Sequence, residues 1–445
     1  MDKLDIDTGK PFVTACQDTI NVLGKRMYDL LSELFPICRS ITGDGVRESY
    51  DIIERVISLC RTEVATGTKA FDWAVPKEWN VREAYVIGPE GDRVIDFANN
   101  NLHLLGYCKP IVETMSLSKL KEHLYTLEDQ PDVVPYRTSY YDENWGFCLA
   151  HSQYVSLVEG EYKVVVDATL EDGSMTYAEA LIEGRSDEEV LITCYTCHPS
   201  MCNDSLSGVV VATYLADYLR QFDLKYSYRI LFAPETIGSI TWLSRNEART
   251  DSILCGLVVT CCGDSGKLTY KRSRRGDTVI DVAAEHVLRH SCTDYLIEDF
   301  FPYGSDERQF CSPGFNMAVG SLMRTRYGAY KEYHSSGDDL SFVNAESLGD
   351  TIQKYIEIID ILEHNATYVT TNPRCEPQLG KRGLYSKIGP TNPQSELIML
   401  WLLNLCDGES SLLDIAGRAG SPFSSVRDVA NKLVTHGLLV DDSLS

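Results

Sequence analysis

The chain has 445 residues, more than one compact core usually accommodates, so two or three domains are expected. Lys and Arg number 41 against 65 Asp and Glu; the resulting formal net charge of −24 argues against nucleic acid and anionic lipid as main partners. No apolar run reaches about 18 residues, so the sequence predicts no membrane-spanning helix.

The N-terminal segment, MDKLDIDTGKPF, lacks the basic stretch followed by an apolar stretch that is typical of a signal peptide. Fifteen cysteines in a chain without that signal are interpreted as reduced thiols. Both features favour a cytoplasmic location.

Residues 14–62 show the spacing of apolar side chains that is typical of helices. From Phe71 the sequence changes to short strand-like pieces, turns and many aromatic residues, with one helical piece at 117–127. We therefore expect a small β-rich module at 71–149, inserted into a larger domain whose first part is 1–70. Its aromatic segment could either roof a pocket or form interdomain core, and comprises Tyr136, Tyr140, Tyr141 and Trp145.

Strand and helix patterns alternate from about residue 160, which favours an α/β fold: a three-layer α/β/α domain at 150–368 with a mostly parallel mixed sheet. Ligand sites in such sheets form at the carboxyl ends of strands, and His198 and Glu235 each follow a predicted strand. The predicted strands are 162–168, 176–183, 188–194, 226–233, 253–262 and 316–322, and the predicted helices are 207–221, 239–247 and 277–289.

Three helical segments near the C-terminus (395–406, 411–418 and 423–436) indicate a winged helix-turn-helix, and 369–445 is the predicted domain. Residues 396–445 carry three Lys or Arg against seven Asp or Glu, whereas a DNA reader needs a basic stripe. We expect a packing or protein-interaction role without nucleic acid, and a homo-oligomer contact is one form that it could take.

The stretch TCYTCHPSMCNDSLSG (193–208) fits three chemistries. Its Cys-x-x-Cys-His pattern matches haem attachment and also a redox pair, while His198 and Asp204 could hold a metal ion. Cys194 ends a predicted buried strand, and Pro199 stands where a redox pair would open a helix, so the thiols are interpreted as buried side chains. Considered alone, Asp204 could instead cap the following helix.

Four motifs follow one another with polar residues at the expected strand ends: 198–208, 234–239, 304–310 and 332–338. Together they resemble the zinc aminopeptidases of the bacterial leucyl aminopeptidase type. The whole chain resembles, more closely, aminopeptidase-like proteins linked to polysaccharide or natural-product biosynthesis, which have an inserted small domain and a C-terminal winged helix. The motifs that carry this likeness are Tyr-Thr-Cys-His-Pro-Ser, Pro-Glu-Thr-Ile-Gly-Ser, Ser-Asp-Glu-Arg-Gln-Phe and Glu-Tyr-His-Ser-Ser.

The resemblance implies a metal site, and departures from the family pattern imply one zinc ion per chain where relatives bind two. Thr236 replaces the second Glu of a Glu-Glu-x-Gly pair. No carboxylate stands at 260–262, where a strand-end Asp is expected, and Asp264 is slightly late. Three protein ligands with an open position are the usual composition of a catalytic zinc site. The ligands that remain are His198, Asp204 and His334.

The resemblance also assigns roles to other residues of these motifs. Glu235 aligns with the general base, which takes a proton from water and passes it to the leaving amine. Asp306 or Glu307 is placed to bind the free ammonium group of a substrate. Arg324 could bind a substrate carboxylate or form an ordinary surface ion pair.

These assignments favour a metallohydrolase that cleaves an amide next to a free amine, with a small peptide or an aminoacyl conjugate as substrate. Two alternatives remain open. One is a metallo-amidase acting on an aminoacyl-sugar or a natural-product intermediate. The other is a non-catalytic ligand-binding protein; the loss of two expected zinc ligands favours it, whereas the presence of Glu235 favours an enzyme.

Overall fold

The computed structural model describes residues 10–384 and 393–441. Residues 1–9, 385–392 and 442–445 belong to the predicted first and last domains and lie outside the described residues. The described α-helices are, in chain order, α1 (Gln17–Leu34), α2 (Asp44–Ile53), α3 (Leu117–Leu120), α4 (His151–Val155), α5 (Ser207–Leu219), α6 (Ile237–Arg245), α7 (Val279–Ser291), α8 (Glu307–Phe310), α9 (Ala345–His364), α10 (Pro393–Leu405), α11 (Leu412–Ala419) and α12 (Phe423–Thr435).

Strands alternate with these helices through most of the chain. They are β1 (Lys10–Pro11), β2 (Cys60–Ala65), β3 (Lys69–Ala70), β4 (Trp73–Ala74), β5 (Glu78–Ile87), β6 (Arg93–Asp96), β7 (Ile111–Ser116), β8 (Leu124–Tyr125), β9 (Phe147–Cys148), β10 (Glu161–Glu171), β11 (Ser174–Ile182), β12 (Glu189–Tyr195), β13 (Phe222–Asp223), β14 (Ser227–Ala233), β15 (Ile253–Val259), β16 (Leu268–Lys271), β17 (Tyr295–Glu298), β18 (Val319–Met323), β19 (Thr367–Thr370), β20 (Asp407–Ser411) and β21 (Leu439–Asp441).

The described chain divides into two compact units. The first runs to Ile280 and includes Leu296–Gln353, and the second comprises Asp281–Tyr295 and the chain from Lys354 onward. The domain boundaries predicted from the sequence, which divide the chain more finely, stay predictions.

The large sheet has eight strands in the order β17-β16-β18-β15-β12-β14-β11-β2. Its four inner strands, β18, β15, β12 and β14, pair in parallel, while β16, β11 and β2 pair antiparallel to their neighbours. The inner strands are almost wholly buried, as parallel strands covered on both faces are. The sheet is therefore mixed, as predicted; three of the six described pairings are parallel, and they join the inner strands, whose carboxyl ends meet at one edge.

Helix α5 packs tightly on this sheet, and all thirteen of its residues are buried. A β-carbon on Gly208 would lie 2.1 Å from the carbonyl oxygen of Val259, so only glycine allows the first turn of α5 to approach the end of β15 this closely. This contact holds the loop before α5 against the carboxyl edge of the sheet.

A smaller antiparallel sheet has the order β6-β5-β10-β7. Its long strand β10 forms where a strand was predicted at 162–168, but it pairs with β5 and β7 of the small module and not with the large sheet. Two other expectations change: the helical pattern of 14–62 ends in β2, an edge strand of the large sheet, and the helix predicted at 117–127 is reduced to α3.

In the second unit, α10, α11 and α12 accompany a three-stranded sheet in the order β20-β19-β21. The start of α11 is closed by a capping box, in which the Ser411 hydroxyl accepts a hydrogen bond from the Asp414 backbone and the Asp414 carboxylate binds the Ser411 backbone. These three helices match the predicted segments closely. Nowhere in residues 10–384 and 393–441 does a helix combine the length and apolar character that crossing a bilayer requires.

Candidate active site

Four polar side chains converge at the carboxyl edge of the large sheet. His198 follows β12, and Glu235 follows β14, the parallel neighbour of β12. Asp204 lies in the tight turn that leads into α5, and His334 lies in the loop between β18 and α9. The chain brings these residues together because parallel strands deliver their following loops to the same edge.

His198, Asp204 and His334 form a group whose potential ligand atoms all lie within 4.8 Å of one another. Oδ2 of Asp204 is 3.9 Å from Nε2 of His198 and 3.0 Å from Nε2 of His334. Tetrahedral ligands at about 2.0–2.2 Å from a zinc ion stand roughly 3.3–3.6 Å apart. The spacing of the three residues therefore fits one ion.

The lack of hydrogen-bond partners at two of the potential ligand atoms also fits a bound cation. Oδ2 of Asp204 and Nε2 of His334 are buried and have no hydrogen-bond partner, although they face each other. A buried polar atom without a partner is costly, and a metal ion shared by both atoms would satisfy them. The donor set of two imidazoles and one carboxylate is one that zinc accepts.

Electrostatics hold two of the ligands in the states that bind a cation. Burial lowers the pKa of His198 to about 4, so its imidazole is neutral at pH 7. Burial would raise the pKa of Asp204, but His198, His334 and the Tyr195 hydroxyl together hold it at about 2, so this carboxyl is ionised. Neutral imidazole and carboxylate are the ligand forms that metals require.

A network of backbone and side-chain hydrogen bonds fixes the loop of Asp204. The buried carboxylate of Asp338 accepts from the backbone amides of Asn203 and Asp204, at 2.6 and 2.9 Å. The Asn203 side chain in turn donates to Asp264 at 3.0 Å and accepts from the Gly263 amide at 2.9 Å. Asp264, the carboxylate next to the expected second-metal position, thus holds Asn203 in place.

The positions at which the sequence pattern predicted further metal ligands make hydrogen bonds within the protein. The Tyr195 hydroxyl donates to Oδ1 of Asp204 and lies 2.6 Å from the hydroxyl of Thr260, at the end of β15. The hydroxyl of Thr236 accepts from the Arg308 guanidinium at 3.2 Å. The second oxygen of Asp204 therefore accepts a hydrogen bond from a tyrosine hydroxyl.

Cys197 of the Cys-x-x-Cys pair lies beside the site. Its Sγ is 3.4 Å from Nδ1 of His198 and accepts from the Glu235 backbone amide at 3.3 Å. Since Nε2 of His198 faces Asp204, Nδ1 is the nitrogen left to carry the proton and donate it to sulfur. Cys194 is buried in β12 without a disulfide, which agrees with its interpretation as a buried thiol.

Glu235 lies beside the group formed by His198, Asp204 and His334, which is called the metal group below. Its Oε2 lies 3.8 Å from Nε2 of His198, and about a quarter of its side chain is exposed. Burial, with the carboxylates of Asp306 and Asp204 nearby, raises the pKa of Glu235 well above its ordinary value. The following Thr236 has φ of 63°, a strained left-handed conformation of the kind that clusters at functional sites.

The structure separates the three predicted substrate-binding residues. Asp306 is buried, and its Oδ1 accepts from the Thr236 backbone amide at 2.7 Å. Glu307 is fully buried in an ion pair with Lys271, at 2.6 Å. Arg324 lines a different cavity and pairs with Asp350 at 2.9 Å. Of the three, Asp306 contacts the backbone of Thr236, the residue that follows Glu235.

A cavity of about 480 Å³ opens above the metal group, and its lining includes His198, Glu235 and His334. Of the aromatic segment predicted from the sequence, Tyr136, Tyr140 and Tyr141 line this cavity. Trp145 instead packs in the core, with its ring stacked on His123.

Trp73 and Arg137 also line the cavity and were not singled out from the sequence. Trp73 lies in the β3-β4 hairpin, within a stretch that the sequence identifies only as aromatic and rich in turns.

The small module reaches the metal group through backbone pairing. Pro135 and Ser335 form an antiparallel bridge, the Tyr136 amide donates to the His334 carbonyl at 2.8 Å, and the Ser336 amide donates to the Val134 carbonyl at 2.8 Å. The Tyr136 ring lies 5.1 Å from that of His334 and 5.4 Å from that of His198. Residues 134–136 thus form a roof tied to the loop that carries His334.

Comparisons with known proteins agree on the architecture. The family described as "Domain of unknown function (DUF4910)" matches residues 28–365, and a winged helix-turn-helix family matches residues 366–441. A curated Clostridium acetobutylicum protein is 53% identical over 418 residues, covering 94% of this chain and 96% of the relative. It is provisionally described as a polysaccharide biosynthesis protein with an aminopeptidase-like domain.

Solved structures support the same fold. A Clostridium acetobutylicum crystal structure, provisionally described as a peptidase, has a TM-score of 0.92 and 51% identity, covering 95% of this chain and 98% of its own. A zinc aminopeptidase from Bacillus subtilis has a TM-score of 0.56 and 10% identity, over 76% of this chain and 94% of its own. At that identity the second likeness shows a shared fold alone.

Proposed function

Since this chain belongs to the aminopeptidase-like family described as "Domain of unknown function (DUF4910)", followed by a winged helix, we propose that it is a zinc-dependent amide hydrolase of the aminopeptidase type. The observation that carries the proposal is the convergence of His198, Asp204 and His334 within 4.8 Å, with Glu235 beside them. Orphaned ligand atoms and an adjacent carboxylate suit hydrolysis better than ligand storage.

The three residues would hold one zinc ion, which when bound polarises an amide carbonyl and makes a water molecule more acidic. Glu235 accepts a proton from the attacking water as the new carbon–oxygen bond forms, and delivers it to the nitrogen as the carbon–nitrogen bond breaks. Its position beside the metal-ligand group suits this exchange, because the same carboxylate must take the proton and later release it.

The remaining chain residues position this chemistry. Asp338 and Asn203 hold the Asp204 loop, while Cys197 orients His198 and the backbone of Glu235. Asp306, through Thr236, fixes the entry into α6 directly after Glu235. We keep Asp306 as the proposed contact for a substrate ammonium group.

The proposed substrate is a small peptide or an aminoacyl conjugate. The cavity favours the conjugate, because its aromatic walls suit the ring of a sugar or a natural product. The reaction on such a substrate would be that of an amidase. The name of the Clostridium relative, with its reference to polysaccharide biosynthesis, points the same way. We propose a cytoplasmic location and a protein-contact role for the acidic winged helix, with no nucleic acid as partner.

Replacement of Glu235 tests the proposal. The Glu235→Gln variant should keep its zinc and lose roughly 10²- to 10⁴-fold in kcat, because the proton acceptor is removed and the ligands are not. The assay compares L-leucine 4-nitroanilide with its N-acetyl derivative, and zinc content is measured in parallel. Glu188→Gln, which changes an exposed glutamate just before β12, is the matched control.

Unchanged turnover in Glu235→Gln would remove this residue as the base. Equal cleavage of the free and the acetylated substrate would identify an amidase without a requirement for a free amine. A zinc-loaded protein that binds amides and hydrolyses none would support the ligand-binding alternative instead.

A further inference from the structure

Of the described residues that line the cavity, Arg137 carries a positive charge and Glu235 is the carboxylic acid. We propose that the substrate is an amide that carries both a ring and a carboxylate, with the carboxylate bound by Arg137 and the ring packed against Trp73 and Tyr141. This inference rests on the proposed amide hydrolysis and names the substrate class for the same site.

Arg137 is the arginine among the described residues that line the cavity. It is exposed, and among the described residues its guanidinium has no ion pair or hydrogen bond, whereas Arg47, Arg82 and Arg93 are paired with carboxylates elsewhere. A guanidinium presents a fork of donors that matches the two oxygens of a carboxylate. An unpaired arginine lining a substrate cavity is therefore suited to an anionic ligand.

The neighbouring aromatic residues add donors and open ring faces. Trp73 and Tyr141 are 41% and 53% exposed, and their ring centroids lie 5.7 Å apart in an edge-on arrangement. The Trp73 indole nitrogen can donate a hydrogen bond, and the Tyr141 hydroxyl can donate or accept one. Both residues can pack a ring and donate to its oxygen substituents.

Carboxylates, which would bind a positively charged substrate, are scarce at the rim of the cavity. Glu235, the proposed base, is the carboxylate among the described residues that line the cavity. Asp306, the proposed contact for a substrate ammonium group, is buried outside this lining and accepts from the Thr236 amide, and Glu307 is buried with Lys271. Away from Glu235, the positive charge of Arg137 therefore favours a negatively charged substrate.

Two pairs of substrates, each differing by one charge at nearly constant shape, test the inference. L-leucine 4-carboxyanilide and L-leucine 4-carbamoylanilide place the charge on the amine side of the scissile bond. The α-anilides of L-glutamate and L-glutamine place it on the acyl side. The binding of 4-aminobenzoate and of 4-aminobenzamide to zinc-loaded protein, followed by calorimetry, tests recognition without turnover.

We expect the acid to be preferred over its amide by roughly ten-fold or more in kcat/KM in at least one pair, and in binding. Arg137→Gln should abolish the preference, and Arg137→Lys should keep part of it. Trp73→Leu should weaken the acid and the amide alike, because it removes the ring contact and not the charge. Arg82→Gln, an exposed arginine of the small sheet, is the control and should change none of these ratios.

Equal handling of acid and amide in both pairs and in binding would overturn the inference, as would a preference that survives Arg137→Gln. If no anilide is cleaved while 4-aminobenzoate still binds through Arg137, the proposed hydrolysis fails and the carboxylate site stands. Cleavage without charge preference would support the hydrolysis and remove the carboxylate site.

Discussion

The fully buried pair of Lys271 and Glu307 shows how one residue can look functional in the sequence and have a structural partner in the fold. The Lys271 ammonium donates to Glu307 at 2.6 Å, to the Tyr303 carbonyl at 2.9 Å and to the Tyr327 hydroxyl at 3.0 Å. It also lies 3.8 Å from the ring centroid of Phe301. These contacts satisfy the lysine and hold the start of α8 against the sheet.

Removing one partner of this pair should be far more costly than removing both. Lys271→Met leaves a buried carboxylate uncompensated, and we expect a loss of about 3–5 kcal/mol in the free energy of unfolding. Adding Glu307→Gln to Lys271→Met should recover much of that loss. Urea unfolding measures both values, and a single replacement as mild as Arg82→Gln would contradict a structural role for the pair.

At the scale of elements, α7 and α12 meet through a histidine in the second unit. Nε2 of His286, on α7, accepts from the backbone amide of Phe423, the first residue of α12, at 3.0 Å. An amide in the first turn of a helix has no partner within the helix, so the imidazole acts as its cap. Burial, with the neighbouring charges of His290 and Arg289, lowers the pKa of His286 to about 4.

Acid should therefore destabilise the second unit. The folded state keeps His286 neutral down to about pH 4, whereas the unfolded chain binds a proton near pH 6.5, so stability is full above pH 6.5 and falls as the pH drops toward 4. We expect a loss of about 1–3 kcal/mol across that window. In thermal unfolding from pH 7.5 to 4.5, His286→Gln should show a shallower fall than the wild type.

His436→Gln is the matched control, because His436 is an exposed histidine of the same unit. Its pH dependence should follow that of the wild type. Identical slopes for His286→Gln and the wild type would show that the buried imidazole contributes nothing to acid sensitivity.

Elements with continuous apolar patterns were predictable from the sequence. Helix α5 is buried throughout and the strands β12, β14 and β15 almost throughout, so local composition alone identifies them and places His198 and Glu235 at strand ends. Strand β2 was missed because it is a half-exposed edge strand whose pairing partner, β11, lies more than a hundred residues later.

The residues of the candidate site also divide into those that local sequence identifies and those that it does not. His198, Asp204 and His334 lie in motifs with recognisable neighbours, whereas Trp73 and Arg137 reach the cavity only because the module folds over the sheet edge. No local pattern marks a residue whose role depends on a contact made by the tertiary fold.

Over the whole molecule, zinc should act as part of the fold as well as of the chemistry. We expect one ion per chain, since the Tyr195 hydroxyl donates to the second oxygen of Asp204 and competes there with another ion. Zinc at a thousand times its dissociation constant should stabilise the protein by about 4 kcal/mol, because the unfolded chain lacks the assembled site. Metal analysis and thermal unfolding with and without a chelator measure both quantities.

The His334→Ala variant supplies the comparison for this measurement. It should bind less than one ion and show little stabilisation by added zinc, while its unfolding without zinc stays near that of the wild type. Two tightly held ions per wild-type chain would refute the one-zinc assignment.

The backbone pairing of 134–136 with 334–336 would couple the roof of the cavity to the proposed zinc ion. If zinc release shifted His334, the shift would reach Tyr136 through this backbone hydrogen bond, and the substrate cavity would loosen together with the metal site. A metal-starved molecule would then lose recognition along with reactivity, and its emptied pocket would not sequester substrate from loaded copies.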